Sequence, residues 1–400
     1  MGCNRRSAEL IGSCDREGCL RADLIRMFAA VLFTLLTFID SPVRANIIGD
    51  LVGFGGDSGK VAKWEFRLKD SFYVTSVAWS PDGKWIATSS SQGRRVHVWD
   101  VQKRTVIKEL VLGAFDAYFH DLSWSPDSRY LAACDGLGAV LHVYNTNDWL
   151  EAHTFSPQDA QDCKQAAFSA DGRQIAILGR NLIVASVGDW QRIKMSNLSK
   201  GWGLAHQFNA VAYLPGTYTI LLGGSQFHNV SKTAKYEGRS AGHVWFLRAD
   251  EVVPSRDMQA YLTDDRGGGE VLSLAVSPDG QQLATGTMTG AGNPANGLVT
   301  QSVHIFNIPD GRLLGAPLDG DITFGQQMGL AYSANGRFVI AGHEETQTKA
   351  IHIIDARTYA VVDVVHAGGP VYDIAVDRRS TQFAVATNKE VIVWSLTESR

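Results

Sequence analysis

Five of the eleven histidines, His97, His142, His243, His304 and His352, stand in matching contexts: V-H-V-W, L-H-V-Y, G-H-V-W, V-H-I-F and I-H-I-I. Imidazole is a common metal ligand and titrates near neutral pH, so a recurring histidine invites a metal or proton-transfer reading. A metal site, however, needs its ligands at one point, whereas equivalent slots in repeated strands stand apart. Packing between repeats is therefore the expectation for these five, with no metal and no cofactor. No H-E-x-x-H, G-x-S-x-G or paired-cysteine motif occurs. The Gly-rich run G-F-G-G-D-S-G-K ends at Lys60, but a phosphate-binding loop would need glycine where Phe54 stands and a hydroxyl residue where Val61 stands. Residues 46–60 read as a lead-in. A second set of chemistry-bearing residues recurs at loop-to-strand junctions: Tyr73, Tyr118, Asp162, Gln207, Glu270 and Gln326, with His120, Lys164, Asn209 and Tyr372 nearby. Polar groups held by loops on a rigid scaffold suit ligand contact.

The elements that position these residues repeat at intervals of about 45, the spacing of propeller blades. Seven turns can be aligned on Ser80, Ser125, Ser169, Leu214, Ser277, Ser333 and Asp377, reading S-P-D-G, S-P-D-S, S-A-D-G, L-P-G-T, S-P-D-G, S-A-N-G and D-R-R-S. Pro presets φ, Asp or Asn bonds the backbone just ahead, and Gly accepts φ > 0, so tight hairpins are expected. Two residues before each anchor the chain is small: Ala78, Ser123, Ala167, Ala212, Ala275, Ala331 and Ala375. Larger apolar residues flank this column, so both faces of the strand are buried, and a small column suits the innermost strand where blades crowd at the axis. Second and third strands follow each turn, such as W-I-A-T-S and R-V-H-V-W-D, and most repeats add a more polar fourth. The last repeat stops near Leu396 without one, while Lys63–Leu68, K-W-E-F-R-L, alternates like a strand and has no local partner. The expected fold is all-β: a seven-bladed propeller of four-stranded antiparallel blades over 61–400, closed by that N-terminal strand in the last blade, which removes exposed edges.

From about residue 61 the chain resembles the WD-repeat family of seven-bladed propellers, through its S-P-D-G turns and the third strand ending in Trp99-Asp100. One repeat alone carries Trp-Asp, the family's Gly-His dipeptide is not visible, and its inter-strand Asp is irregular. The resemblance thus speaks for the ring and not for the family's His-Ser-Asp network. The turns are also similar to those of periplasmic TolB-like propellers, without a separate N-terminal domain of that type.

Met27–Ile39 is an uncharged apolar run preceded by Arg21 and Arg26 and followed by small residues at Val43 and Ala45. It reads as a signal-peptide core cleaved after Ala45, leaving no integral span in the mature chain; an uncleaved anchor or a core helix are the other readings. Residues 1–45 are then leader and upstream extension, and the mature chain is periplasmic or extracellular. Of the five cysteines only Cys134 and Cys163 would remain. An oxidising compartment permits a bridge between them, but the favoured reading is two buried thiols. Asn197-Leu-Ser and Asn229-Val-Ser fit the glycosylation sequon.

A net charge of -4 without a basic stripe argues against nucleic acid. The first functional expectation is a non-catalytic scaffold binding a protein or peptide on the channel-mouth face. There the polar rim and two long excursions, Ser225–Ser240 and Thr287–Gln301, would lie together. The alternative is a propeller enzyme, lactonase-like or a dehydrogenase, with its site at the central channel.

Overall fold

The computed structural model describes residues 60–90, 94–112, 121–135, 140–156, 162–198, 206–227, 240–248, 256–259, 269–289, 300–323, 328–343 and 349–397. All fall within one compact unit, Gly56–Arg400. They form seven antiparallel four-stranded sheets. Blade 1 holds β2 (Val74–Trp79), β3 (Trp85–Ser90), β4 (Arg95–Asp100) and β5 (Thr105–Val111). Blade 2 holds β6 (Leu122–Trp124), β7 (Tyr130–Asp135), β8 (Val140–Asn145) and β9 (Glu151–Phe155). Blade 3 holds β10 (Gln165–Phe168), β11 (Gln174–Leu178), β12 (Asn181–Ser186) and β13 (Arg192–Asn197). Blade 4 holds β14 (His206–Tyr213), β15 (Thr219–Phe227), β16 (Ser240–Arg248) and β17 (Arg256–Gln259). Blade 5 holds β18 (Gly269–Val276), β19 (Gln282–Thr289), β20 (Thr300–Asn307) and β21 (Leu313–Thr323). Blade 6 holds β22 (Met328–Tyr332), β23 (Phe338–His343), β24 (Ala350–Asp355) and β25 (Val361–His366). Blade 7 holds β26 (Asp373–Val376), β27 (Gln382–Thr387) and β28 (Glu390–Leu396), completed by β1 (Ala62–Lys69) in the order β1-β28-β27-β26.

The turns form as their residues dictate. Asp82 Oδ1 accepts the Lys84 N–H at 3.1 Å, and Asp127, Asp171, Asp279 and Asn335 repeat the bond in their own turns. The anchor serine bonds across the hairpin, as when Ser80 Oγ accepts the Trp85 N–H at 2.9 Å. The small column also behaves as its position requires: Ala78 pairs with Ala87, Ala275 with Ala284 and Ala375 with Ala384, so first and second strands bring little bulk to those points.

Neighbouring blades are locked at the turns between third and fourth strands. Arg104, Trp149, Trp190 and Tyr359 occupy matching places there, each with φ between 57° and 60°. A left-handed backbone costs a non-glycine residue about 1 kcal/mol or more, so something must hold it there. In each case the side chain reaches back to the preceding blade. The Arg104 guanidinium lies 4.5 Å from the Phe66 ring of β1, and Trp149 packs edge-on to Trp85 at 5.5 Å. Trp190 meets Tyr130 at 5.1 Å, and Tyr359 occupies the space above Gly315, where an added Cβ would come within 2.5 Å of its own.

One sequence expectation is corrected. Cys134 and Cys163 are not separate thiols but a disulfide, with Cα atoms 5.3 Å apart. Cys134 lies in β7 and Cys163 just ahead of β10, so the bond staples blade 2 to blade 3 inside a dry cluster with Ile175, Ile183 and Phe155. Blade-to-blade packing, not sequence spacing, creates the proximity.

Candidate functional site

The rim residues read from the sequence are distributed over several blades. Tyr118, His120 and Gln326 lie outside the described residues. Tyr73 is 39% exposed ahead of β2, with Lys389 Nζ 5.4 Å from its ring centroid. Asp162 is half-buried, Gln207 is exposed on β14, and the Tyr372 N–H bonds the Ala386 carbonyl at 3.0 Å. The others bridge blades. Lys164 Nζ donates to the Phe208 carbonyl at 2.8 Å, and Asn209 Nδ2 donates to Glu270 at 2.6 Å and to the Val271 carbonyl at 3.2 Å. Of the ten, the structure brings Asn209 and Glu270 into direct contact. The excursions leave β15 at Phe227 and β19 at Thr289 and return at Ser240 and Thr300, on the same face as the starts of the inner strands. Their middles lie outside the described residues.

A more ordered set stands four residues before each anchor: Ser76, Asp121, Gln165, Ala210, Ser273, Gly329 and Asp373. Here each blade meets the inner strand of the next. Asp373 Oδ2 accepts the Val77 N–H at 3.0 Å and the Ser76 hydroxyl at 2.7 Å. Asp121 Oδ2 accepts the Ala166 N–H at 3.0 Å, and Gln165 Oε1 accepts the Val211 N–H at 2.7 Å. Gln165 also bonds Asp121. At Gly329 the next blade's backbone itself arrives: an added Cβ would sit 3.0 Å from the Ile374 nitrogen, so only glycine fits without displacement. The sequence signal was available, since polar residues sit in otherwise apolar inner strands, but they were not among the rim columns.

Burial dominates the electrostatics of this belt. It pushes the Asp121 carboxyl well above the usual carboxylate range, against the Ala166 and Gln165 bonds, and the Asp373 charge pushes it the same way. Burial likewise raises Asp373 to about 6, against the bonds from Val77, Ser76 and Ile374. An acid with a raised folded pKa contributes stability while protonated and loses it as pH rises from the unfolded value through the folded one. Asp373→Asn keeps an acceptor for Val77 without the charge. Its stability relative to the parent should therefore climb by up to about 3 kcal/mol between pH 4 and 7. Parallel denaturant midpoints for the two proteins across that range would refute the assignment.

The histidine column is resolved one blade at a time. His97 is buried with Nδ1 2.9 Å from Asp70 Oδ2 and Nε2 3.1 Å from Glu109 Oε2. Asp70 also accepts from the Thr88 hydroxyl at 3.2 Å, and Thr88 accepts from Trp99 Nε1 at 3.0 Å. The Asp70 hydrogen bond, aided by Glu109, raises the His97 pKa despite burial. For Asp70 burial acts upward, but His97 with Phe72 and Thr88 outweighs it and holds the carboxyl low. Blade 1 thus carries a Trp-Thr-Asp-His chain of its own, its carboxylate supplied by the link between β1 and β2. His243 and His304 are also buried, each in its own blade. Among the described residues no three His, Cys, Asp or Glu side chains gather as a metal-binding group.

Blade 1 is also where comparison with known families speaks. The model of the WD domain, G-beta repeat, matches residues 63–100. The ring of seven four-stranded sheets makes the chain a seven-bladed β-propeller, and over those residues it is similar to a WD repeat. Among solved structures it is similar to the crystal structure of the β-propeller domain of Cps50 (Swd1) from Myceliophteria thermophila. The two share 16% identity with a TM-score of 0.60, over 84% of this chain and 100% of that one. At that identity the likeness concerns the fold alone. No curated protein matches the sequence. Among the described residues no helix is long and apolar enough to cross a membrane.

Proposed function

We propose that the chain is a non-catalytic interaction platform, exported from the cytoplasm, which binds a protein or peptide on the channel-mouth face. The observation that carries this reading is how the ring uses its reactive groups. The buried inner-strand carboxylates cap backbone N–H groups of the next blade, and His97 is held by its own two carboxylates. Among the described residues the Asp121–Asp373 repulsion resembles a catalytic carboxylate pair, but both groups are already committed to neighbouring strands. Antiparallel blades leave their loops at the ends of the strands, where scaffold proteins carry recognition. Two of the longer ones, 228–239 and 290–299, join second to third strands at the end where the inner strands begin, the face this reading takes as the channel mouth. Export is supported by the leader-like run at 27–39 and by the Cys134–Cys163 bond, since disulfides persist in oxidising compartments.

Photo-crosslinkers placed at Tyr73 and Gln207, compared with sites on the opposite turn face, test the reading in the native cell envelope. A discrete adduct from the mouth face is expected, lost when 228–239 and 290–299 are both replaced by short Gly-Ser links. Adducts that persist unchanged in the doubly shortened chain, or that form only from the turn face, would sink it.

A further inference from the structure

The turns between first and second strands share one face, opposite the channel mouth just discussed. The residue after each anchor is Pro81, Pro126, Ala170, Pro215, Pro278, Ala334 and, in blade 7, Arg378. Six apolar positions and one guanidinium occupy equivalent points. Arg378 is exposed at the surface. Among the described residues nothing is bonded to it. The adjacent Asp377 carboxylate is occupied by the Arg379 N–H at 2.9 Å and by the Ser380 hydroxyl. Arg379 itself turns its Nη1 to the Asp82 carbonyl at 2.7 Å, and Asp355 caps its own turn and faces Arg337 at 3.8 Å.

Arg378 borders a cleft of about 380 Å³ between the turns of blades 6 and 7. Phe338 and Leu396, both buried, give it an apolar floor, and Thr381 adds a hydroxyl with no bonded partner among the described residues. A guanidinium with no bonded side chain of its own, set beside an apolar floor, suits a carboxylate, because its planar fork can donate two parallel bonds to it.

We propose that this cleft is a recognition site for a carboxylate, gripped by Arg378 and the Thr381 hydroxyl, with the ligand's neighbouring methylenes on Phe338 and Leu396. A small organic acid and an acidic peptide side chain share this chemistry. The site does not depend on the mouth-face reading, and its failure would leave that reading intact.

The full chain is titrated calorimetrically at low salt with sodium succinate and, separately, with an end-capped tetraglutamate peptide. Wild-type protein should bind at least one with single-site stoichiometry; succinate alone indicates a free acid, the peptide a macromolecular partner. Arg378→Gln should weaken that binding about tenfold or more, and Arg378→Lys less, since a point charge replaces the fork. Thr381→Val should weaken it by a smaller factor. Unchanged melting temperatures show that the variants are folded. The proposal is overturned if wild type binds neither probe at about 10 mM, near the weak end of useful affinity. It is equally overturned if Arg378→Gln, or all three variants alike, bind as wild type does.

Discussion

Removing residues 61–69 should leave a chain that does not close and does not melt cooperatively. β1 contributes no blade of its own, yet it pairs with β28 from Ala62 opposite Leu396 to Lys69 opposite Glu390. Val61, Ala62, Phe66 and Leu68 are buried in the seam, and the Val61 and Ala62 N–H groups both donate to Asp363 Oδ2, at 2.6 and 2.9 Å. Burial of Phe66 and Leu68 alone is worth about 3 to 6 kcal/mol, a large share of the roughly 5 to 15 kcal/mol that holds a domain folded. The deletion also removes Asp70's neighbouring strand, so the His97 chain of blade 1 loses its mounting. It uncovers the apolar β28, V-I-V-W-S-L, as an open edge prone to pairing with other chains. Near-ultraviolet circular dichroism and size-exclusion chromatography should show lost tertiary signal and soluble aggregate. A deleted chain that elutes as a monomer and melts as the parent does would disprove the closure argument. Asp363→Ala, which removes the two capping bonds and the bond that Asp363 Oδ1 accepts from the Val364 N–H while leaving β1 in place, should fold and lose stability in part.

The second large effect concerns the bridge between blades 2 and 3. Cys134 and Cys163 are separated by 29 residues, and closing a loop of that size in the unfolded chain is worth about 3.5 kcal/mol. Cys134→Ala with Cys163→Ala should therefore lower the melting temperature by roughly 5 °C for a folded unit of this size. Alanine is the right replacement, because a serine hydroxyl among Ile175, Ile183 and Phe155 would add an unpaired polar group to the loss. Thiol titration of a denatured chain produced to begin at Asn46, which holds Cys134 and Cys163 alone, gives the independent check. No free thiol is expected, and two per chain would mean that the bond is not formed.

Much of the ring was legible in the chain before any coordinates. The aligned turns, the small column through Ala78 and Ala375, and the orphan strand K-W-E-F-R-L each had a local signature, because hairpins and inner strands are set by residues close in sequence. What lay hidden depended on contacts between blades. Asp70 reads as a loop residue until β1 joins blade 7 and brings its exit beside His97. The disulfide was missed for the same reason: spacing along the chain does not reveal that Cys134 near the end of β7 faces Cys163, two residues before β10. The carboxylates Asp121 and Asp373 were visible as polar interruptions, yet their role as caps required knowing which N–H the next blade presents. Arg378 stood out only once the turn columns were compared residue by residue.

The way blade 7 is assembled also decides how the ring responds to pulling. Residues 61 and 397 are hydrogen-bonded neighbours, with the Thr397 N–H 2.7 Å from the Val61 carbonyl, and the strands they lead into are antiparallel. Tension applied through both ends therefore loads the β1–β28 ladder one rung at a time, like a zip, and not all rungs together. A propeller that resists heat through its whole circumference is mechanically weakest where its two ends meet.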